Sequence, residues 1–266
     1  MPHHAWRSFR SIFSFFFYAG RKSRKTRIFF VISCLPVLMA LIIKLNQFFW
    51  GGRTIDNMGV FTNIIMTFYL QFLILVLALF YGSSICQEEI EGKTLTYLTT
   101  RPVSKSSIVL GKYGAYVVFI MVMVAVGVLF SFLILNIEDL SELPVWGILA
   151  RNLGVLALGL ICYTAFFAFL GTFFKRSILF GLVFAFGWEN IVQYFPGSTQ
   201  RFTIVHYLKS LLPGGAVTTG GKFSFLLFRL EPSPPDAAIA TLFIVTAIFL
   251  GLACLLFSQK EYLFEE

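Results

Sequence analysis

Residues 113–135 read YGAYVVFIMVMVAVGVLFSFLIL, 23 positions from Tyr113 to Leu135 without one charged side chain. At about 1.5 Å of rise per residue such a helix measures roughly 34 Å, enough to cross the hydrocarbon core of a bilayer, about 30 Å. Working outward, five further stretches have similar character, near 28–45, 60–86, 147–174, 177–195 and 237–257. The reading is therefore an all-α polytopic membrane protein with six transmembrane helices, built as a single domain over 1–266. Composition agrees: 58% of the 266 residues are hydrophobic, only 13% are charged, and the mean hydropathy is +0.82. A soluble domain needs more charge than this on its surface. Phe contributes 33 residues, which suits contact with lipid and would drive aggregation in water.

Charge gives the orientation. The chain holds 21 Lys and Arg against 13 Asp and Glu, a net charge of +8. In a soluble protein that balance would suggest nucleic acid; here it asks which membrane face is basic. The N-terminal segment carries Arg7, Arg10, Arg21, Lys22, Arg24, Lys25 and Arg27 and no acid, so it is expected in the cytoplasm. Six crossings return the C-terminus to the same side. The short loop 136–146 has Glu138, Asp139 and Glu142 and no Lys or Arg, as an outer loop should. The protein is thus expected in the cytoplasmic (inner) membrane with both termini inside.

Two segments outside the spans have shape. Residues 5–20 set Trp6, Phe9, Ile12, Phe13, Phe16 and Phe17 at helical spacing, the pattern of an amphipathic interfacial helix. The outer loop 196–236 is too long for a simple connection. Its apolar tract from Thr203 to Leu212, interrupted by His206 and Lys209 and closed by Pro213, predicts short re-entrant or interfacial helices, since ten residues cannot span.

Catalytic chemistry finds little footing. His3, His4 and His206 are the only histidines, and no HExxH pair exists to hold zinc. Cys34, Cys86, Cys162 and Cys254 show no CxxC spacing and are expected as free thiols, so no metal site is expected. Gly214 to Lys222 has a passing likeness to a phosphate loop, but Ala216 and Phe223 stand where that loop needs a glycine and a hydroxyl. Neither an enzyme nor a cofactor is expected in this chain; ATP and Mg, if used, belong to another polypeptide.

The informative stretch lies between the second and third spans. Glu88, Glu89 and Glu91, with Ile90, Leu95 and Leu98 at helical spacing and Pro102 as a stop, describe a short amphipathic helix. Ser104 is placed to cap the helix that leads into the third span. On physics alone a solvated hairpin explains the segment equally well. However, the run EEIEGKTLTYLTTRPVSKSSIVLGKY, Glu88 to Tyr113, resembles the signature of ABC-2 type permeases, the membrane subunits of bacterial ABC exporters. That family has an E-x-E-x-(G/K)-T-(L/I) helix, an (R/S)-P-(V/I)-(S/P)-(R/K) turn, and a leucine-rich run ending in Gly-Lys. Glu89, Glu91, Lys93, Thr94, Leu95, Arg101, Pro102, Val103, Ser104, Lys105, Gly111 and Lys112 match in order and spacing. Lys93 stands where much of the family has Gly.

The resemblance implies a permease subunit without catalytic residues, working as a homodimer or with a sister permease, and driven by two copies of a separate ABC ATP-binding subunit. It implies that this subunit docks on the cytoplasmic segment 87–105, with Glu88 among the contact acids, and that ATP-driven closure moves the docked helices as levers. Two intramembrane charges stand apart from it. Arg151 and Glu189 invite three readings: a pair between helices, a lining of the exit path, or separate snorkelling to the headgroups. Two rival functions also follow from the sequence. One is a secondary transporter or channel, which needs buried ionisable groups near the midplane; the other is a non-transporting anchor of an ABC-type complex.

Overall fold

The computed structural model describes residues 14, 16–18, 20, 24–50, 57–91, 105–138, 143–174, 176–192, 198–212 and 233–259. All of its regular structure is helical. Helices α1 (Arg24–Ser33) and α2 (Leu35–Trp50) come first, followed by α3, which runs without a break through Asn57–Ile64, a π-helical stretch Ile65–Leu73 and Ile74–Glu91. Then come α4 (Lys105–Leu135), α5 (Leu143–Phe173), and α6, composed of Ser177–Leu182, a π-helical stretch Val183–Trp188 and Glu189–Ile191. A 3₁₀ turn (Ser198–Phe202), the short α7 (Ile204–Leu211) and α8 (Pro235–Gln259) complete the order.

Among the described residues five segments are long and apolar enough to cross a membrane: Lys25–Phe49, Asn57–Gln87, Ser106–Leu135, Pro144–Phe173 and Pro235–Gln259. The sixth expected span, 177–195, is a shorter apolar helix, Ser177–Ile191, about 22 Å long. Neighbouring residues fix the directions. Ile74 lies by Gly159, Gly82 by Thr164 and Ser83 by Gly171, so α3 and α5 run parallel. Tyr116 packs on Tyr81 and Phe132 on Phe61, which sets α4 antiparallel to α3. Ser177 meets Gln87 while Phe186 meets Phe72, so α6 also opposes α3. Each long helix thus reverses the one before it. The ends of α3, α5 and α8 gather with the starts of α4 and α6 at what we term the basic end; the other is the far end.

Helix α5 is the hub, packed along α3 and against α8, α4, α6 and α7. The approach of α3 to α5 is close because each brings a glycine to the crossing. A Cβ on Gly82 would sit 2.9 Å from the Thr164 carbonyl oxygen, and one on Gly171 would sit 2.6 Å from that of Ser83. Small residues let helix backbones touch in lipid, where no hydrophobic force draws helices together. Gly171→Val is expected to wedge the pair apart and cost about 1–3 kcal/mol, read as a lower thermal midpoint in detergent.

Several polar groups inside the bundle are satisfied locally, whereas the Asn152 amide and the Thr164 hydroxyl of α5 are buried with no hydrogen-bond partner among the described residues. Ser83, Ser131, Thr172 and Thr246 each donate to the carbonyl four residues back. Pro36 interrupts the hydrogen-bond ladder of the first span: the helix breaks at Cys34, and Val37 N–H bonds Cys34 O at 3.0 Å rather than Ser33 O. The released Ser33 carbonyl accepts from the Tyr69 hydroxyl of α3 at 3.4 Å, and Ser33 Oγ donates to Met123 O of α4 at 3.2 Å. Outward, α2 exposes Leu38, Ile42, Phe48 and Phe49, and α8 exposes Phe243, Ile244, Ile248 and Leu255.

Candidate functional site

At the basic end, the backbone of α3 continues through Glu88, Glu89 and Glu91, and α4 opens at Lys105. The side chains of those four residues, and all of Lys93, Thr94, Leu95, Arg101, Pro102, Val103 and Ser104, lie outside the described residues. The flanks of the segment are well defined. Lys112, only 1% exposed, donates from Nζ to Ser84 O of α3 at 3.3 Å and lies 4.9 Å from the Phe16 ring centroid and 5.8 Å from that of Tyr116. Phe16 also packs edge-on to Tyr116 and Phe17 to Phe119. The described part of segment 5–20 is therefore helical and seated on α4 by the aromatic spacing that marked it in the sequence. Tyr81 joins this cluster through both rings, and its hydroxyl shares a 2.9 Å hydrogen bond with Thr26 Oγ1. Ser177 Oγ, at the start of α6, donates to Gln87 Oε1 at 2.7 Å. The flanks of the α3–α4 connection thus join α3, α4, α6 and the N-terminal segment.

Toward the far end, α7 is gripped at both tips. Glu189, 1% exposed, accepts from Ile204 N–H at 3.1 Å, from Val205 N–H at 3.2 Å and from the Tyr163 hydroxyl at 3.0 Å. Thr203, at the N-cap position, bonds Gln200 O instead and leaves those amides to Glu189. At the other tip Arg151 Nε donates to Leu211 O at 2.8 Å. An acid at a helix N-terminus and a base at its C-terminus both match the helix dipole. A third tether runs to the lead of α8: His206 Nε2 shares a 3.0 Å hydrogen bond with Ser233 Oγ, and Ser233 N–H donates to Ser210 Oγ at 3.2 Å. Burial, reinforced by Arg201, holds the His206 imidazole below its usual range. Burial likewise pushes the Lys209 ammonium down to about 8, with the Glu189 carboxylate pulling the other way.

The family is decided by the sequence match. Residues 21–188 match the family described as "ABC-2 family transporter protein". The chain belongs to the ABC-2 transporter family. No individual curated protein matches it. Membership makes this ABC-2 protein a multi-pass, non-catalytic membrane component of an ABC transporter, associated with an ABC ATP-binding subunit. The match runs from before α1 to Trp188 and stops one residue short of Glu189, so the helical core and basic end lie within it and α7 lies beyond.

Within this ABC-2 protein the two intramembrane charges are brought to the same short helix but not to each other. No ion pair joins them; about 12 Å of α7 separates the ends they hold. Glu189 is buried, whereas Arg151 is exposed and reaches inward only to Leu211. Among the described residues no cluster of His, Cys, Asp or Glu is arranged to hold a metal. Tyr163 was not singled out by sequence, and Lys112 was named only as the end of the matched run, with no role of its own. Tyr163 is one phenol in the apolar run LICYTAFF, with no signal beyond its hydroxyl.

Proposed function

We propose that this chain forms one half of the translocation path of an ABC exporter, acting as a homodimer or with a sister permease. Its basic end faces the cytoplasm of a cell with an inner membrane, and both termini lie on that side. Short as it is, α6 serves as the sixth crossing, consistent with its running opposite to α3. ATP and Mg are bound by a separate ATP-binding subunit, two copies per transporter, docking on segment 87–105 through Glu88, Glu89, Glu91 and the turn at Arg101 to Lys105. The observation that carries this reading is the family match combined with the bracing around that segment. The Lys112 bond to α3, the Phe16 and Phe17 contacts and the Ser177–Gln87 bond join four elements at its flanks. The apolar outer faces of α2 and α8 supply surface for lipid and a second copy. A secondary transporter is the weaker reading, because the buried carboxylate of Glu189 is already engaged by three donors.

The test is Glu89→Lys combined with Glu91→Lys, co-expressed with the ATP-binding subunit and reconstituted in nanodiscs. Reversing two docking charges should weaken co-purification by about tenfold and return ATP hydrolysis to the rate of the isolated ATPase. Unchanged coupling in that variant removes the docking role.

A further inference from the structure

Helix α3 is enclosed on most of its circumference. Tyr69 reaches the Ser33 carbonyl of α1, Phe61 packs on Phe132 of α4, Ile74 lies by Gly159 of α5, and Phe72 packs on Phe186 of α6. One narrow face stays open. Toward the basic end it presents Phe72 and Phe80, exposed, with Val76 half-buried between them, a surface suited to lipid. Toward the far end it presents Asn63 and Thr67, both exposed, and then Gln71, half-buried. These three polar residues are four apart, and the wider turns of the π-helical stretch Ile65–Leu73 hold them nearly in line where an α-helix would carry them around.

Depth makes this stripe unusual. The contacts of Tyr81 with Tyr116 and of Phe61 with Phe132 put Gln71 level with the middle of the charge-free run of α4. Asn63 lies eight residues, about 12 Å, farther out, still within the half-thickness of the hydrocarbon core, about 15 Å. Lipid offers polar groups at that depth no partner. The hydroxyls of Thr62, Thr241 and Thr246 turn back onto the carbonyl four residues earlier. Thr67 does not, and neither its hydroxyl nor the Asn63 carboxamide bonds any described residue. By contrast α2, α4, α6 and α8 turn Ile42, Phe130, Val183 and Ile248 outward.

We propose that Asn63, Thr67 and Gln71 form the stripe on which a second copy of this chain pairs, α3 against α3 across a two-fold axis. Both copies sit the same way up in the membrane, so the axis runs along the membrane normal and residues of equal number meet at equal depth. A carboxamide and a hydroxyl each donate and accept, so Asn63 pairs with the partner's Asn63 and Thr67 with the partner's Thr67. Neither a cation nor a carboxylate could satisfy its own copy in this way. It is this self-complementarity that favours an identical chain over a different one. Polar contacts of this kind hold transmembrane helices together where hydrophobic burial cannot. Gln47 donates to Asn57 Oδ1 at 2.8 Å, which sets α2 beside the start of α3, and the exposed Phe48 and Phe49 widen the contact. The inference rests on the reading above that two permease chains make one transporter; it adds that they are identical and which face joins them.

The test uses the full chain with its four cysteines replaced by alanine and Thr67→Cys as the only thiol, in membranes treated with copper phenanthroline. A disulfide-linked dimer should form at least about tenfold faster than from Val122→Cys, an exposed position on α4 at comparable depth. In parallel, labelled chains are counted in liposomes by stepwise photobleaching over a dilution series. Asn63→Leu combined with Thr67→Val should move the monomer–dimer midpoint to about tenfold higher chain density, the loss of two polar contacts in lipid. Both side chains lie on the outer surface, so the thermal midpoint of the monomer in detergent should stay at the parent value. Thr67→Ser keeps the hydroxyl and should dimerise like the parent. Dimers that persist unchanged in the Leu/Val variant, with no crosslink at position 67, overturn the surface and spare the transporter reading. Pairing only with a different permease does the same. Rapid reaction of Thr67→Cys with a membrane-impermeant maleimide, in place of the crosslink, shows a water-filled face and also overturns the contact. A chain that stays single at every density, even with the ATP-binding subunit present, overturns both the contact and that reading.

Discussion

Glu189→Ala is expected to lower the stability of this protein by about 3 kcal/mol and to strip hydrogen-exchange protection from the amides of Ile204 and Val205. The carboxylate accepts from two buried backbone amides and a buried phenol, and alanine leaves all three without a partner. Each buried donor left unpaired costs about 1–3 kcal/mol, and neighbours sharing one acceptor do not add in full. Denaturation in detergent gives the first number and exchange measured by mass spectrometry the second. Arg151→Ala is the contrasting variant. Its side chain is exposed and makes one bond to a carbonyl at the C-terminal tip, so about 1 kcal/mol or less is expected, with protection retained at Ile204. Equal effects from the two would mean that α7 is not held mainly at its N-terminal tip.

Lys112→Glu has the second large expected effect, at the opposite end. The ammonium of Lys112 is buried against the Ser84 carbonyl and the Phe16 and Tyr116 rings, all of which present negative charge density to it. A carboxylate placed there is repelled by every one of these groups and is itself desolvated, at a cost of several kcal/mol. The N-terminal segment should detach from α4 at Phe16 and Phe17, and the chain that follows, with Arg21, Lys22, Arg24 and Lys25, should become a better protease substrate. Trypsin should cut there about tenfold faster or more, the factor that 1.4 kcal/mol represents. Lys112→Arg retains the cation and should stay near the parent rate. Cleavage at the parent rate in the Glu variant would show that Lys112 does not hold the segment.

The spans were legible because a charge-free run of twenty residues has few alternatives in physics. Tyr113 to Leu135 is contained in α4, and 147–174 falls within a residue of the end of α5. The start of α5 at Leu143 was missed by a few residues because Pro144 sits in the first turn, where its lack of an N–H costs nothing. The expected end of the sixth span, 195, lies outside the described residues; the last α-helical residue described in α6 is Ile191. Hydropathy reports what lipid tolerates, not where a backbone turns to meet another helix. The same limit explains the rest. Tract 203–212 announced a short helix through its composition and Pro213, but its end clamps join residues 15, 16 and 60 apart in sequence, which leave no periodic trace. The α3–α5 crossing likewise carries no local sequence motif, because Gly82 and Gly171 meet from different helices. The acidic segment is the reverse case: its motif was the most legible feature of the chain, while its side chains lie outside the described residues.

We propose that a separate ATP-binding subunit sits on the acidic end of α3. It is tested most directly by replacing Glu89 with a photo-crosslinking amino acid in the full chain, co-expressed with that subunit, and placing the same group at Glu138 as a control on the far end. A crosslink to the ATP-binding subunit is expected from position 89 and none from position 138. Equal crosslinking from both positions, or none from position 89 in a complex that still couples ATP hydrolysis to transport, would contradict it.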